Sequence, residues 1–85
     1  MITEIVVKKY RWNGTIDHIT LIVTYASGKT VTQRYMLWES VPYTFRDFLS
    51  AAEIEDVREI VPPDSPYSIL ETTYRRSKYE SMQHV

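Results

Sequence analysis

Eighty-five residues without a cysteine exclude disulfides, thiolate metal sites and a catalytic thiol, and a chain this short buries only about 60–65% of the surface its unfolded form exposes. Hydrophobic residues at 44% and charged residues at 25% exclude global disorder. The net charge of −1 excludes the strongly basic footprint usual for nucleic-acid binding, although it conceals a net of +3 over residues 1–36, −5 over 37–64 and +1 beyond.

No Gly/Ser-rich or charged linker divides the sequence, so residues 1–85 are read as one domain. The start, Met1 to Lys9, lacks a basic segment followed by an apolar run, and no stretch of about 18 apolar residues exists to span a bilayer. The expectation is a cytoplasmic protein without membrane contact. Asn13-Gly14-Thr15 fits a glycosylation pattern, but with no secretion signal it reads as a turn.

Residues 4–12, 15–25 and 30–38 are rich in Ile, Val, Thr, Tyr and Trp, which predicts three strands. Asn13-Gly14 and Ser27-Gly28 between them suit the positive φ of tight hairpins. Loop length then decides which side chains share a face. A two-residue Asn13-Gly14 loop sets Val6 opposite Leu21 and Lys8 opposite Ile19, mixing charge into an apolar row. A three-residue loop sets Val7 opposite Ile19, Ile5 opposite Leu21 and Lys9 opposite Asp17, and is preferred. The same loop at Ala26-Ser27-Gly28 sets Val23 opposite Val31 and Ile19 opposite Tyr35. One face then reads Ile5, Val7, Ile19, Leu21, Val23, Tyr25, Val31, Tyr35 and Leu37, the expected core. The other mixes Val6, Lys8, Tyr10, Ile16, His18, Thr20, Ile22, Thr24, Thr30, Thr32, Arg34, Met36 and Trp38. In such a meander the first and third strands are the edges, the first guarded by Lys8, Lys9 and Arg11.

Pro42 closes the third strand, and Thr44 suits the cap of a helix whose Phe45, Phe48, Leu49 and Ala52 form an apolar stripe. The phase breaks near Ser50, where Ser50-Ala51-Ala52-Glu53 matches a capping box, so a second short helix is expected over residues 51–60. Pro62-Pro63-Asp64-Ser65-Pro66 stops it. Tyr67, Leu70 and Tyr74 at i, i+3 and i+7 favour a C-terminal helix from Tyr67 to Tyr79. The competing reading is a fourth strand through Ile69, Leu70, Thr72, Thr73 and Tyr74. Ser81 to Val85 are expected to fray. The predicted fold is α+β: a three-stranded antiparallel meander, one or two short helices, and a C-terminal helix.

Little in the chain carries catalytic chemistry. Asp17 and His18 are adjacent, but successive side chains of a regular strand point to opposite faces, which keeps them apart as a general-base dyad. His18 therefore reads as a contact residue. His18 and His84, without cysteines, do not make a zinc set. Glu53, Glu55, Asp56 and Glu59 lack the glycine and Asp/Asn pattern of a calcium loop and read as a solvated helix face. The only glycines, Gly14 and Gly28, sit in turns, so no phosphate-binding loop or nucleophile elbow can be written.

The mixed second face remains, where Tyr10, Trp12, Met36 and Trp38 interleave with Lys8, His18 and Arg34. Tyr, Trp, Met and Arg are the residues interfaces favour. The expected function is a non-enzymatic protein-binding module, a small inhibitor, antitoxin-like or adaptor protein, with Tyr10, Trp12, Arg34, Met36 and Trp38 as contact residues. Its partner is another protein or a second copy, with no cofactor, metal or small-molecule substrate implied. The alternative is nucleic-acid binding, with aromatics stacking bases while Lys8, Lys9, Arg11 and Arg34 neutralise phosphates and Arg75, Arg76 and Lys78 extend the patch. An enzyme, such as a small hydrolase, is the third reading. Coverage of this face by a second layer is the structural alternative to all three.

Overall fold

A computed structural model describes residues 1–76. The chain forms β1 (Ile2–Trp12), β2 (Thr15–Tyr25), β3 (Thr30–Tyr35), a 3-10 turn (Trp38–Ser40), α1 (Tyr43–Ala51), β4 (Glu53–Ile60) and β5 (Tyr67–Arg75). The strands make a single antiparallel sheet in the order β3-β2-β1-β5-β4. The predicted three-stranded meander is therefore the first part of a five-stranded sheet. Neither the second helix nor the C-terminal helix forms, and mixed α+β character rests on α1 and one 3-10 turn.

The two corrections have different physical origins. Beside β5, β4 carries a register shift between Ile54 and Asp56 that leaves Glu55 as a bulge residue. A bulge interrupts the two-residue alternation. Ile54 and Val57 consequently oppose Tyr74 and Thr72 on one face, and their i, i+3 spacing imitates a helix. Ser50 does not open a second helix. Its hydroxyl donates to the Asp47 carbonyl at 2.8 Å inside α1, and the chain is extended from Ala52 onward. In β5, Leu70 and Tyr74 share one face while Tyr67 pairs with Trp12 on the other. The run of Ile69, Thr72, Thr73 and Tyr74, which fits a pleated surface, outweighs the helical spacing once β1 offers an unpaired edge. The end of the predicted C-terminal helix, Lys78, His84 and the fraying tail lie outside the described residues.

Pairing with β5 moves β1 to the centre of the sheet, so the edges among the described residues are β3 and β4. Lys8, Lys9 and Arg11 guard no edge.

The first hairpin uses the two-residue turn, with Asn13 at φ 48° and Gly14 at φ 85°, and not the preferred three-residue loop. A bulge at Asp17 follows, between the pairs Arg11–Ile16 and Tyr10–His18. From there Lys9 faces Ile19, Val7 faces Leu21 and Ile5 faces Val23. These partners are displaced by two residues from the expected ones. Because the displacement is even, every side chain keeps its expected face beyond the bulge. The second hairpin has the predicted register, Val23 with Val31 and Ile19 with Tyr35, closed by Gly28 at φ 91°.

The core lies on the predicted face. Ile5, Val7, Ile19, Leu21 and Val23 are buried together with Ile2 and Val41, and Phe45, Phe48 and Leu49 of α1 pack on them with Tyr25, Tyr35 and Tyr74. Leu37 leaves this face: β3 stops at Tyr35 and Leu37 is exposed. One nine-residue helix, about 13 Å long and 10 Å wide, covers roughly two strands of a sheet whose strands sit about 4.8 Å apart. Among the described residues the β5–β4 half stays open on the helix side, and all eight residues of β4 are exposed.

Candidate functional site: the open face of the sheet

Strand alternation places the side chains of Val6, Lys8, Tyr10 and Trp12 on the face away from α1, opposite the buried Ile5 and Val7. Cross-strand pairs extend this face in rows. Tyr10 stands beside His18 on β2 and Ile69 on β5, and Ile69 beside Ile60 on β4. In the next row Trp12 stands beside Tyr67. A continuous strip of rings and branched aliphatics thus crosses four strands at one end of the sheet.

The rings are packed against each other. Tyr10 and His18 stack with centroids 4.2 Å apart and planes 16° from parallel. Trp12 and Tyr67 meet edge to face at 4.5 Å and 67°. The Asn13 amide donates to the Pro66 carbonyl at 3.1 Å, tying the first turn to the β4–β5 connection and holding Trp12 beside Tyr67. Such ring pairs are worth about 0.5–1.5 kcal/mol beyond their area, so each favours the ring arrangement seen here. Trp12 remains 45% exposed, and Ile60 and Tyr67 are exposed as well.

The expected separation of Asp17 from His18 is overturned. His18 Nδ1 lies 2.8 Å from Asp17 Oδ2, within hydrogen-bond distance. The bulge at Asp17 suspends alternation there, so neighbouring side chains reach one another. The pair orients the imidazole against Tyr10 and stands apart from the clefts beside α1 and β4.

Charge on this face is largely compensated. Lys8 Nζ lies 3.9 Å from Glu71, Arg75 contacts both Glu4 and Glu55, and Arg58 reaches Asp56 at 3.1 Å. Lys9 and Arg11 pair across the strands with Ile19 and Ile16, which puts them on the helix side. The bases grouped for phosphate contact are therefore divided between two faces. Among the described residues no group of three or more His, Asp or Glu side chains is arranged to hold a metal ion, and no helix is long and apolar enough to cross a membrane.

The five residues read as contacts are divided too. Tyr10, Trp12 and Arg34 share the open face, Arg34 sitting opposite Thr20 on the β3 edge. Met36 lies past the end of β3 and is exposed. Trp38 belongs to the 3-10 turn and lines a cleft on the helix side with Val7, Lys9 and Leu49. Alternation was extended through residue 38, whereas the strand ends at Tyr35. Ile60, Tyr67 and Ile69 also belong to the strip. For Tyr67 and Ile69 the sequence signal is the aromatic and β-branched content of residues 67–74; Ile60 lies outside that run.

No protein-family model, curated protein or solved structure matches this chain.

Proposed function

We propose that this protein is a non-enzymatic protein-binding module that docks its partner on the open sheet face, with Tyr10, Trp12 and Tyr67 as anchors. The observation that supports this reading is the strip His18–Tyr10–Ile69–Ile60, flanked by Trp12–Tyr67, uncovered among the described residues and packed through its own ring contacts. Rigid aromatic groups bury large area at low entropic cost, the property that marks the dominant residues of an interface. Internal pairing of Lys8, Arg58 and Arg75 favours a protein over a polyanion, because phosphate binding must first break those pairs.

The test is affinity capture followed by crosslinking from cells that make the protein, comparing the unaltered chain with W12A and Y67A. Each variant loses an exposed ring contact costing about 0.5–1.5 kcal/mol and stays folded by thermal melting, while capture of the protein partner falls at least tenfold. Capture that survives both substitutions in folded variants moves the interface elsewhere. Salt-sensitive recovery of nucleic acid, abolished by K8E with R34E, replaces the reading with its alternative.

A further inference from the structure

On the opposite side of the sheet, α1 and the strands β1 and β5 enclose a groove of about 430 Å³. Its walls are Val7, Leu49, Tyr74 and Trp38, and two cations, Lys9 and Arg46, line the same groove. This volume lies within the range of about 300–1,000 Å³ typical of small-molecule sites, and an apolar lining with a few convergent polar groups is their usual chemistry.

Lys8, Arg58 and Arg75 each have a carboxylate within 4 Å, whereas Lys9 and Arg46, like Arg11, Lys29 and Arg34, have none among the described residues; Lys9 and Arg46 differ from those three in lining one apolar groove together. Arg46 rests instead over the Tyr43 ring, its guanidinium carbon 5.0 Å from the centroid, a contact that leaves its edge donors available. In a chain of net charge −1, two cations without a carboxylate partner at one apolar groove create a local positive site. Beyond the groove the sheet continues without a covering layer among the described residues. Leu70 stands beside Lys9 across the β1–β5 pair, and Val57, 55% exposed, lies in the row of Val7 and Thr72.

We propose that this groove binds a single-chain amphiphile with a carboxylate head, a medium-chain fatty acid or its close chemical equivalent. Lys9 and Arg46 receive the carboxylate through charge-assisted hydrogen bonds. The chain lies along Val7, Leu49, Trp38 and Tyr74 and extends towards Leu70 and Val57, the apolar surface that α1 is too short to cover. A nucleotide fits less well: the groove has no glycine-rich backbone cradle for phosphates, and apolar side chains occupy the walls where base edges need hydrogen-bond partners.

The experiment titrates the full chain with dodecanoate below its micelle concentration, by calorimetry and by the two tryptophan indole N–H signals in NMR. Trp38 lines the groove and Trp12 lies on the far face, so each chain carries its own control. The expected result is saturable one-to-one binding that moves the Trp38 signal and leaves Trp12 in place. Dodecanol binds at least tenfold more weakly, and acetate alone does not saturate. K9Q with R46Q removes the preference for dodecanoate over dodecanol while the fold, followed by thermal melting, persists. Equal binding of dodecanoate and dodecanol to the unaltered protein, saturation by acetate, movement of Trp12 instead of Trp38, or no saturable binding overturns the proposal. The dodecanol comparison needs no variant and decides the matter even if K9Q with R46Q fails to fold. Neither result bears on the protein-binding face, which is read from W12A and Y67A.

Discussion

Tyr35 shows how a single side chain carries the cost of its surroundings. It sits at the end of β3 opposite Ile19, packed on the core, and burial followed by the nearby Tyr25 phenol raises its pKa above the ordinary value of 10.0. Burial disfavours the phenolate, so the folded state holds the proton more tightly than the unfolded state. The stabilisation from the neutral phenol is fully present below the unfolded pKa of about 10 and is lost as pH rises through the higher folded pKa. Denaturant unfolding at increasing pH therefore shows stability falling above about pH 10, and Y35F flattens that part of the curve. An identical decline in Y35F would assign the alkaline loss to other groups. At the same scale, the bulged Asp17 brings its carboxylate to His18, an interaction that regular alternation forbids and a single extra residue permits.

The bulges act on whole elements. In β2 the extra residue at Asp17 restores even parity after a two-residue turn, so Ile19, Leu21 and Val23 all reach the core. In β4 the bulge at Glu55 kinks an edge strand that also carries Glu53, Asp56, Arg58 and Glu59. Charged side chains and bulges are the devices by which edge strands resist pairing with other chains. Replacing Asp56 and Glu59 together by Val removes two of these charges from an otherwise exposed strand. The double variant is expected to show a light-scattering mass that rises with concentration more steeply than the unaltered chain. An unchanged mass would show that the bulge and the remaining charges, Glu53, Glu55 and Arg58, protect the edge without Asp56 and Glu59. Turn chemistry is legible at this scale as well. Gly28 and its three-residue loop set the β2–β3 register as expected, because positive φ leaves few geometries open. Asn13-Gly14 admits two loop lengths, and the two-residue turn forms with Asp17 bulged out of the β1 ladder.

Over the whole molecule, a five-stranded sheet with one short helix buries few residues completely: Ile5, Leu21 and Val23 are the largest that do. A domain of this length has a total stability of about 4–13 kcal/mol at typical per-residue values. Leu21→Ala, which deletes a fully buried side chain from the central pair of strands, is expected to cost about 2–5 kcal/mol and to consume much of that total. Urea unfolding measures it, and a loss below about 1 kcal/mol would mean that the core collapses around the vacancy. With one layer of helix over part of one face, the sheet presents two different surfaces among the described residues, an aromatic strip on the side away from α1 and an apolar groove lined by Lys9 and Arg46 beside α1.

From sequence alone the first three strands, the parity of the core face, the second hairpin and the apolar stripe of α1 could be determined. Each depends on interactions between residues close along the chain, where alternation, turn glycines and helical spacing act directly. The partnership of β1 with β5, the strand identity of β4 and β5, and the position of Trp38 were decided only by tertiary structure. Residues 53–60 and 67–75 carry spacings that suit a helix as well as a bulged or two-faced strand, and local preference does not separate them. For residues 67–75 the free edge of β1 separates them, because its unpaired amides and carbonyls are satisfied by a strand and not by a helix, and β5 in turn offers the edge on which residues 53–60 pair. The aromatic strip arises the same way: Trp12 and Tyr67 are distant in the chain and become neighbours when β5 aligns beside β1.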